Sequence, residues 1–276
     1  MPYTIFNSIG SFTEIKMAFL MKKINNIQLL TFSEIEKRVE TIPAVILPVG
    51  GMEPVGEWCA LGAVNKITHS ISETISNNCS VLLQPVLLYG NTTSFRAFGG
   101  SSGVKKNIFE SLITGIVKDC ASWGIKHIFI IDGTCNSYPT LQKVVKRVSK
   151  NKKMAVDIHI FNWQREEKVR NLISKQLKGN ELSRTEFGIL SMISHLNPSM
   201  IRKNKGRKKA KSLCTDDVYR KWYKLGQDPD KFRKLFPDCS TSIIDNDIDP
   251  TFGKELFTYI TNLFSKEVKK RLKVLR

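Results

Sequence analysis

Residues 125–148 read Ile-Lys-His-Ile-Phe-Ile-Ile-Asp-Gly-Thr-Cys-Asn-Ser-Tyr-Pro-Thr-Leu-Gln-Lys-Val-Val-Lys-Arg-Val. The apolar run 125–131 is too short for a buried helix and rich in β-branched side chains, so it predicts a strand buried on both faces. It runs into a polar loop, 132–137, after which Leu141, Val144, Val145 and Val148 recur at helical spacing and predict a helix over 138–148. Strand, loop and helix in that order place the loop at the carboxyl edge of a mostly parallel sheet, where open α/β proteins bind ligands.

The same alternation extends in both directions. Upstream, Thr31 caps a helix over 32–39, and Pro43 leads into a strand at 44–49 that Gly50-Gly51 stops. Val64, Ile67, Ile71 and Ile75 mark a helix over 63–77, and 80–85 is the next apolar strand. After a glycine-rich loop at 98–103, Ile108, Phe109, Leu112, Ile113, Ile116 and Val117 trace one helical face that Gly124 ends. Downstream, a strand over 155–161 ends at Asn162-Trp163, the chain beyond Glu166 is helical and basic, and Asp249-Pro250 opens a long amphipathic helix through Val268. The fold class expected is layered α/β, a mostly parallel central sheet flanked by helices. One domain is expected over 27–276, with an N-terminal extension at 1–26 and a basic loop near 203–211.

Composition agrees with one globular domain: 276 residues, 41% hydrophobic and 25% charged, values that exclude a disordered or fibrous chain. The formal charge of +18, from 43 Lys+Arg against 25 Asp+Glu, attracts polyanions. Lysines recur along the whole chain with one dense run at 203–211, a distribution that a lysine-rich composition explains without a partner. A polyanion or nucleic-acid reading would use that run with Arg220, Lys221 and the tail 269–276. Six cysteines without a Cys-x-x-Cys pair fit a reducing compartment. The apolar patch 17–21 is followed by Lys22 and Lys23 and lacks a cleavage site, and no run reaches the ~18 apolar residues of a membrane span. The expectation is a cytoplasmic protein with no membrane partner.

At the end of the first strand stands Leu47-Pro-Val-Gly-Gly-Met-Glu-Pro-Val-Gly56, continuing Glu-Trp-Cys-Ala-Leu-Gly62. This resembles the creatininase (creatinine amidohydrolase) signature, Pro-x-Gly-Ser-x-Glu-x-His-Gly-x-His-Leu-Pro-x-x-x-Asp. Pro85 with Tyr89-Gly90, Phe98-Gly-Gly-Ser101, Asp132-Gly-Thr-Cys-Asn-Ser137, Asn162-Trp163 and Leu196-Asn-Pro198 fall where that family has related motifs, in the same order, over about 27–265. The resemblance implies a layered α/β fold, an oligomer that is often a hexamer, and a two-metal site of zinc or manganese that hydrolyses amides. Such a site needs imidazoles and carboxylates converging on ions roughly 3.5–4 Å apart.

Residue by residue, the carry-over mostly fails. Glu53 keeps the first carboxylate, but Val55 and Trp58 stand where the signature has His, and Val64 where it has Asp. Thr134 replaces a metal-binding His, with Asn136 two residues on, while Arg184 and Ile189 fall at the later His and Glu, with Glu186 nearby. Valine and isoleucine offer no lone pairs and a guanidinium repels a cation, so no metal cofactor is expected, a single divalent ion at Glu53 being the disfavoured alternative.

The function expected is a creatininase-like protein with a degenerate di-metal site, non-hydrolytic, acting as a small-molecule-binding or accessory subunit in a biosynthetic pathway. The alternative is amide hydrolysis with Glu53 as base and Asp132 and Thr134 completing the catalytic set. Asn136, Ser137, Trp163 and Arg184 are the ligand-binding candidates, and a small molecule and further copies of the chain are the partners expected. Cys59 and Cys135 read as buried small hydrophobes or, with Glu53 or Glu57, as a thiolate site. None of His69, His127, His159 or His195 falls on a ligand position, and His127 and His159 lie inside strands. The two outcomes differ in one arrangement: Glu53, Asp132, Thr134 and Arg184 around a polar pocket, or Val55, Trp58 and Val64 filling it.

Overall fold

In a computed structural model, residues 24–134, 136–151, 154–177, 184–202, 228–240 and 248–273 are described. Residues 1–23 of the expected extension, Cys135, the run 203–211, Arg220, Lys221 and 274–276 of the tail lie outside these residues. The chain forms α1 (Phe32–Thr41), β1 (Ala44–Val49), α2 (Ala63–Cys79), β2 (Leu82–Leu83), α3 (Lys106–Ser122), β3 (His127–Asp132), α4 (Tyr138–Ser149) and β4 (Asp157–Phe161). It continues through α5 (Glu167–Gln176), α6 (Arg184–Leu196), α7 (Pro229–Leu235) and α8 (Pro250–Lys273). The four strands lie in the order β2-β1-β3-β4 and all pair in parallel, with Ala44 opposite His127 and His127 opposite Asp157.

Alternation along the strands builds two hydrophobic layers. Ala44, Ile46, Leu83, Phe129 and Ile131 face α2, α5, α6 and α8; Val45, Leu47, Val49, Leu82, Ile128 and Ile130 face α1, α3 and α4. Every residue of β1 and β3 is buried, as expected for a parallel sheet covered on both faces. The layered α/β class inferred from the pattern is therefore the observed one.

Local chemistry sets the boundaries. Thr31 and Glu34 form a reciprocal capping box at α1, and Gly124, at φ +94°, turns the chain from α3 into β3. The strand expected at 80–85 shortens to Leu82–Leu83. Pro85 brings no N–H, and beyond Gln84, whose N–H donates to Ile46 O, contact with β1 resumes only where Leu87 N–H donates to Pro48 O. At its start, Asn25 is buried, donating to Ser76 O and accepting from Arg38, so the packed chain reaches beyond the pattern's first periodic residue. No helix among the described residues is long and apolar enough to cross a membrane.

Two features give measurable consequences. α6 and α8 approach so closely that a Cβ at Gly253 would overlap the Ser191 carbonyl. Gly253→Ala is expected to cost about 1–3 kcal/mol of stability in urea unfolding, the cost of overpacking against rigid backbone. On β3 and β4, His127 Nδ1 and His159 Nε2 lie 3.3 Å apart within a stack that continues through Phe129 and Phe161 to Phe264 of α8. Burial first, then the Arg271 guanidinium and the neighbouring His127, hold His159 down to about 4. Its contribution is therefore present above the unfolded value of 6.5 and lost as pH falls through about 4. Between pH 6.5 and 4, wild-type stability should fall relative to His159→Phe by about 1 kcal/mol, allowing for solvent screening at a half-exposed ring.

Candidate functional site

The carboxyl ends of the strands deliver four loops to one place, and glycines let their backbones touch. A Cβ at Gly90 would overlap Gly50 O, and one at Gly133 would overlap the Thr68 hydroxyl. A Cβ at Gly51 would lie 3.3 Å from both Glu53 Cγ and Thr134 Cγ2, so these two residues flank the same glycine. The structure thus brings Glu53 and Thr134 together, as the strand-loop-helix order requires.

Asp132, the last residue of β3, is fully buried and tied to its own loop. Its Oδ1 accepts from Thr134 N–H at 3.1 Å and from Thr134 Oγ1 at 2.8 Å, while Oδ2 accepts from Asn162 Nδ2 at 2.8 Å. Asn162 also donates to Thr134 O at 3.1 Å and accepts from Gln164 N–H, and Gln164 Nε2 donates to Gly133 O at 2.9 Å. Thr134 Oγ1 in turn accepts from Ser137 N–H at 3.0 Å. Burial raises Asp132 to about 6, against the opposing pull of the Asn162 and Thr134 hydrogen bonds and of Arg165. Asn136 donates to Ser94 Oγ at 3.1 Å, and Ser137 Oγ accepts from Asn91 N–H at 3.3 Å, which joins this loop to the one after β2.

The remaining candidates divide. Arg184 donates to Ser174 Oγ of α5 at 3.2 Å, and Trp163 is buried in the hydrophobic layer against Gly188. Val55, Trp58, Cys59, Val64 and Ile189 are all members of that same layer. Glu186 rather than Ile189 turns toward the loops: it is buried and accepts from Ser240 Oγ at 2.6 Å. Beside it, Cys239 donates to Pro54 O at 3.4 Å, and its carbonyl accepts from Gly56 N–H at 2.9 Å. Burial first, then the charges of Glu186, Glu53 and Asp238, push the Cys239 thiol up. The turn Asp238-Cys239-Ser240 was not singled out from sequence; its signal was too slight, three small polar residues with no periodicity. His69 lies on α2 and His195 on α6, while His127 and His159 stack within the sheet away from the loops. Among the described residues, no group of three or more His, Cys, Asp or Glu is placed to hold a metal ion.

Comparison with known proteins fits this geometry. The family model described as creatininase, creatinine amidohydrolase, matches residues 28–264. A crystal structure of creatinine amidohydrolase (creatininase) superposes with a TM-score of 0.70 at 13% identity, covering 91% of this chain and 98% of that one. A manganese creatininase gives a TM-score of 0.69 at 13% identity, and a mutant creatininase complexed with creatine 0.71 at 12%, each over 91% of this chain and 99% of the other. At such identities the likeness establishes the fold. No curated protein matches the sequence.

The Asp132 network makes its own prediction. Asn162→Leu strips two donors from a buried carboxylate and its loop and is expected to destabilise the protein by about 2–4 kcal/mol. Because Asn162 stabilises the ionised form and Asp132 titrates near 6, the deficit in urea midpoint should be larger at pH 7.5 than at pH 5.

Proposed function

The chain belongs to the creatininase family, and from that premise we propose that it works without metal-dependent hydrolysis, as a small-molecule-binding or accessory subunit in a biosynthetic pathway. One observation carries the reading: the signature positions that would supply imidazole and carboxylate donors hold Val55, Trp58 and Val64, and all three belong to the hydrophobic layer. These residues do not fit a pair of divalent ions. Aliphatic groups offer no donor atoms, and the Thr134 hydroxyl is already engaged with Asp132 and Ser137. Arg184 brings a cation to α6 where a metal site would want a neutral imidazole. What remains at the loops is hydrogen-bonding chemistry: Thr134 and Ser137, fully buried, hold the loop, and the half-buried Asn136 is the one of the three open to a polar ligand or a partner chain. A homo-oligomer, hexameric by family likeness, and a cytoplasmic setting complete the proposal. The second is supported by Cys59, Cys79, Cys120 and Cys239 all being free thiols.

A second reading is amide hydrolysis with Glu53 as general base. It is favoured by the burial of Glu53, at 1% exposure, in a region it shares with Glu186 and Cys239, where a carboxylate is shielded from bulk water. Asp132 and Thr134 would then act through the loop they hold in place.

Metal analysis of the purified protein separates the readings. Zinc, manganese and iron are expected well below two equivalents per chain, with no turnover of creatinine or of simple cyclic and linear amides. Two equivalents, with turnover abolished by a chelator, would falsify the proposal. If metal-independent turnover is found, Glu53→Gln should lower it at least a hundredfold for a general base, and an unchanged rate removes Glu53 from that role.

A further inference from the structure

The positive charge is not evenly distributed. Residues 1–134 hold 11 Lys+Arg against 10 Asp+Glu, a net +1, whereas residues 135–276 hold 32 against 15, a net +17. A lysine bias arising from composition alone would load both halves alike. Asymmetry of this kind points to a polyanionic partner.

The described residues show where part of this charge gathers. α4 carries Lys143, Lys146 and Arg147 without one acidic residue and is followed by Lys150, Arg147 pairing with Glu110 of α3. Running antiparallel to the strands, it ends at their amino-terminal edge, opposite the loops described above. α8 ends at the same edge: its Arg271 acts on His127, the first residue of β3, and on His159, and its Lys269 acts on Cys79 at the end of α2. Lys126 immediately precedes β3, and its carbonyl accepts from Asp157 N–H at 2.8 Å. Lys126, Lys146, Lys150, Lys269, Lys270 and Arg271 are all exposed. Asp119, Asp157 and Glu267 stand near them, leaving an excess of cations. Between α3 and β3, at this edge, stands Trp123, 45% exposed, with Lys126 three residues on.

We propose that the amino-terminal edge of the sheet binds a single-stranded nucleic acid, its cations on the phosphodiester backbone and Trp123 stacked on a base. Cationic tracks with an exposed aromatic are the chemistry by which single strands are held without sequence preference. A membrane surface fits less well, since it rewards a continuous apolar face, whereas the large exposed hydrophobics near this edge, Trp123 and Ile24, are outnumbered by its cations.

Fluorescence anisotropy of the full chain tests this, using labelled 20-nucleotide single strands of RNA and of DNA between 50 and 200 mM salt. Affinity for at least one of them should fall as salt rises, the two arms showing which sugar is preferred. Neutralising Lys269, Lys270 and Arg271 to Gln should flatten the log-affinity against log-salt slope by about 2, at ~0.7 per charge on a single strand. Trp123→Ala should weaken binding about tenfold and leave the slope unaltered. Lys105→Gln with Lys106→Gln, at the carboxyl edge, should change neither. The proposal is overturned if no strand binds, or if the α8 and Trp123 variants bind as the wild type does. Binding that only neutralisation of 203–211 abolishes would also overturn it, as would capture by phosphatidylserine vesicles in place of both strands.

Discussion

The structure depends on the two-sided burial of one pair of strands. β1 and β3 lie at the centre of the sheet, and each residue on them is buried, alternately enclosed by the α2–α8 layer and by the α1–α3–α4 layer. Parallel strands need crossover helices, and the crossovers bring every strand's carboxyl end to the same edge. The meeting of Glu53 with Thr134, and of Asp132 with Asn162, follows from that arrangement without any long-range search by the loops themselves. Glycines at 50, 51, 90 and 133 then set how near the loops come.

The hydrophobic layers that form the sheet use residues of the strands and helices and extend onto the loop after β1. Val55, Trp58 and Val64 belong to the α2–α8 layer, so the segment after β1 is held by apolar packing. Asp132 shows the complementary solution for a polar group: a carboxylate without solvent is enclosed by amide and hydroxyl donors from its own loop and from the end of β4. Both solutions keep the loops packed.

Much of the fold was legible because its signals are local. The run 44–49 and the helix signals near Thr31, Gly124 and Pro250 each rest on a few neighbouring residues, and each appears where the pattern placed it. Less was legible of the site. Counting along α6 from Leu196-Asn-Pro198 put Ile189 in the carboxylate's place, yet Glu186, one helical turn earlier, is the residue that reaches the loops. Cys239 lies 185 residues from Pro54 in sequence, and no spacing rule connects a short polar turn to a loop that distant. The shared clasp of Asn162 across Asp132 and Thr134 was half visible, as a motif at a strand end, but its direction emerges only from the pairing of β3 with β4.

Phe95, Phe232 and Phe236 form a third, small apolar nucleus outside both layers, joined by Phe98 and Leu235. It fastens α7 onto the loop that follows β2, and the Cys239 turn onto the Glu53 segment comes with it. These pieces, far apart along the polypeptide, therefore rise or settle as one cooperative unit. Their packing bears on the hold of the Cys239 turn on Pro54 and Gly56, separately from the two principal layers.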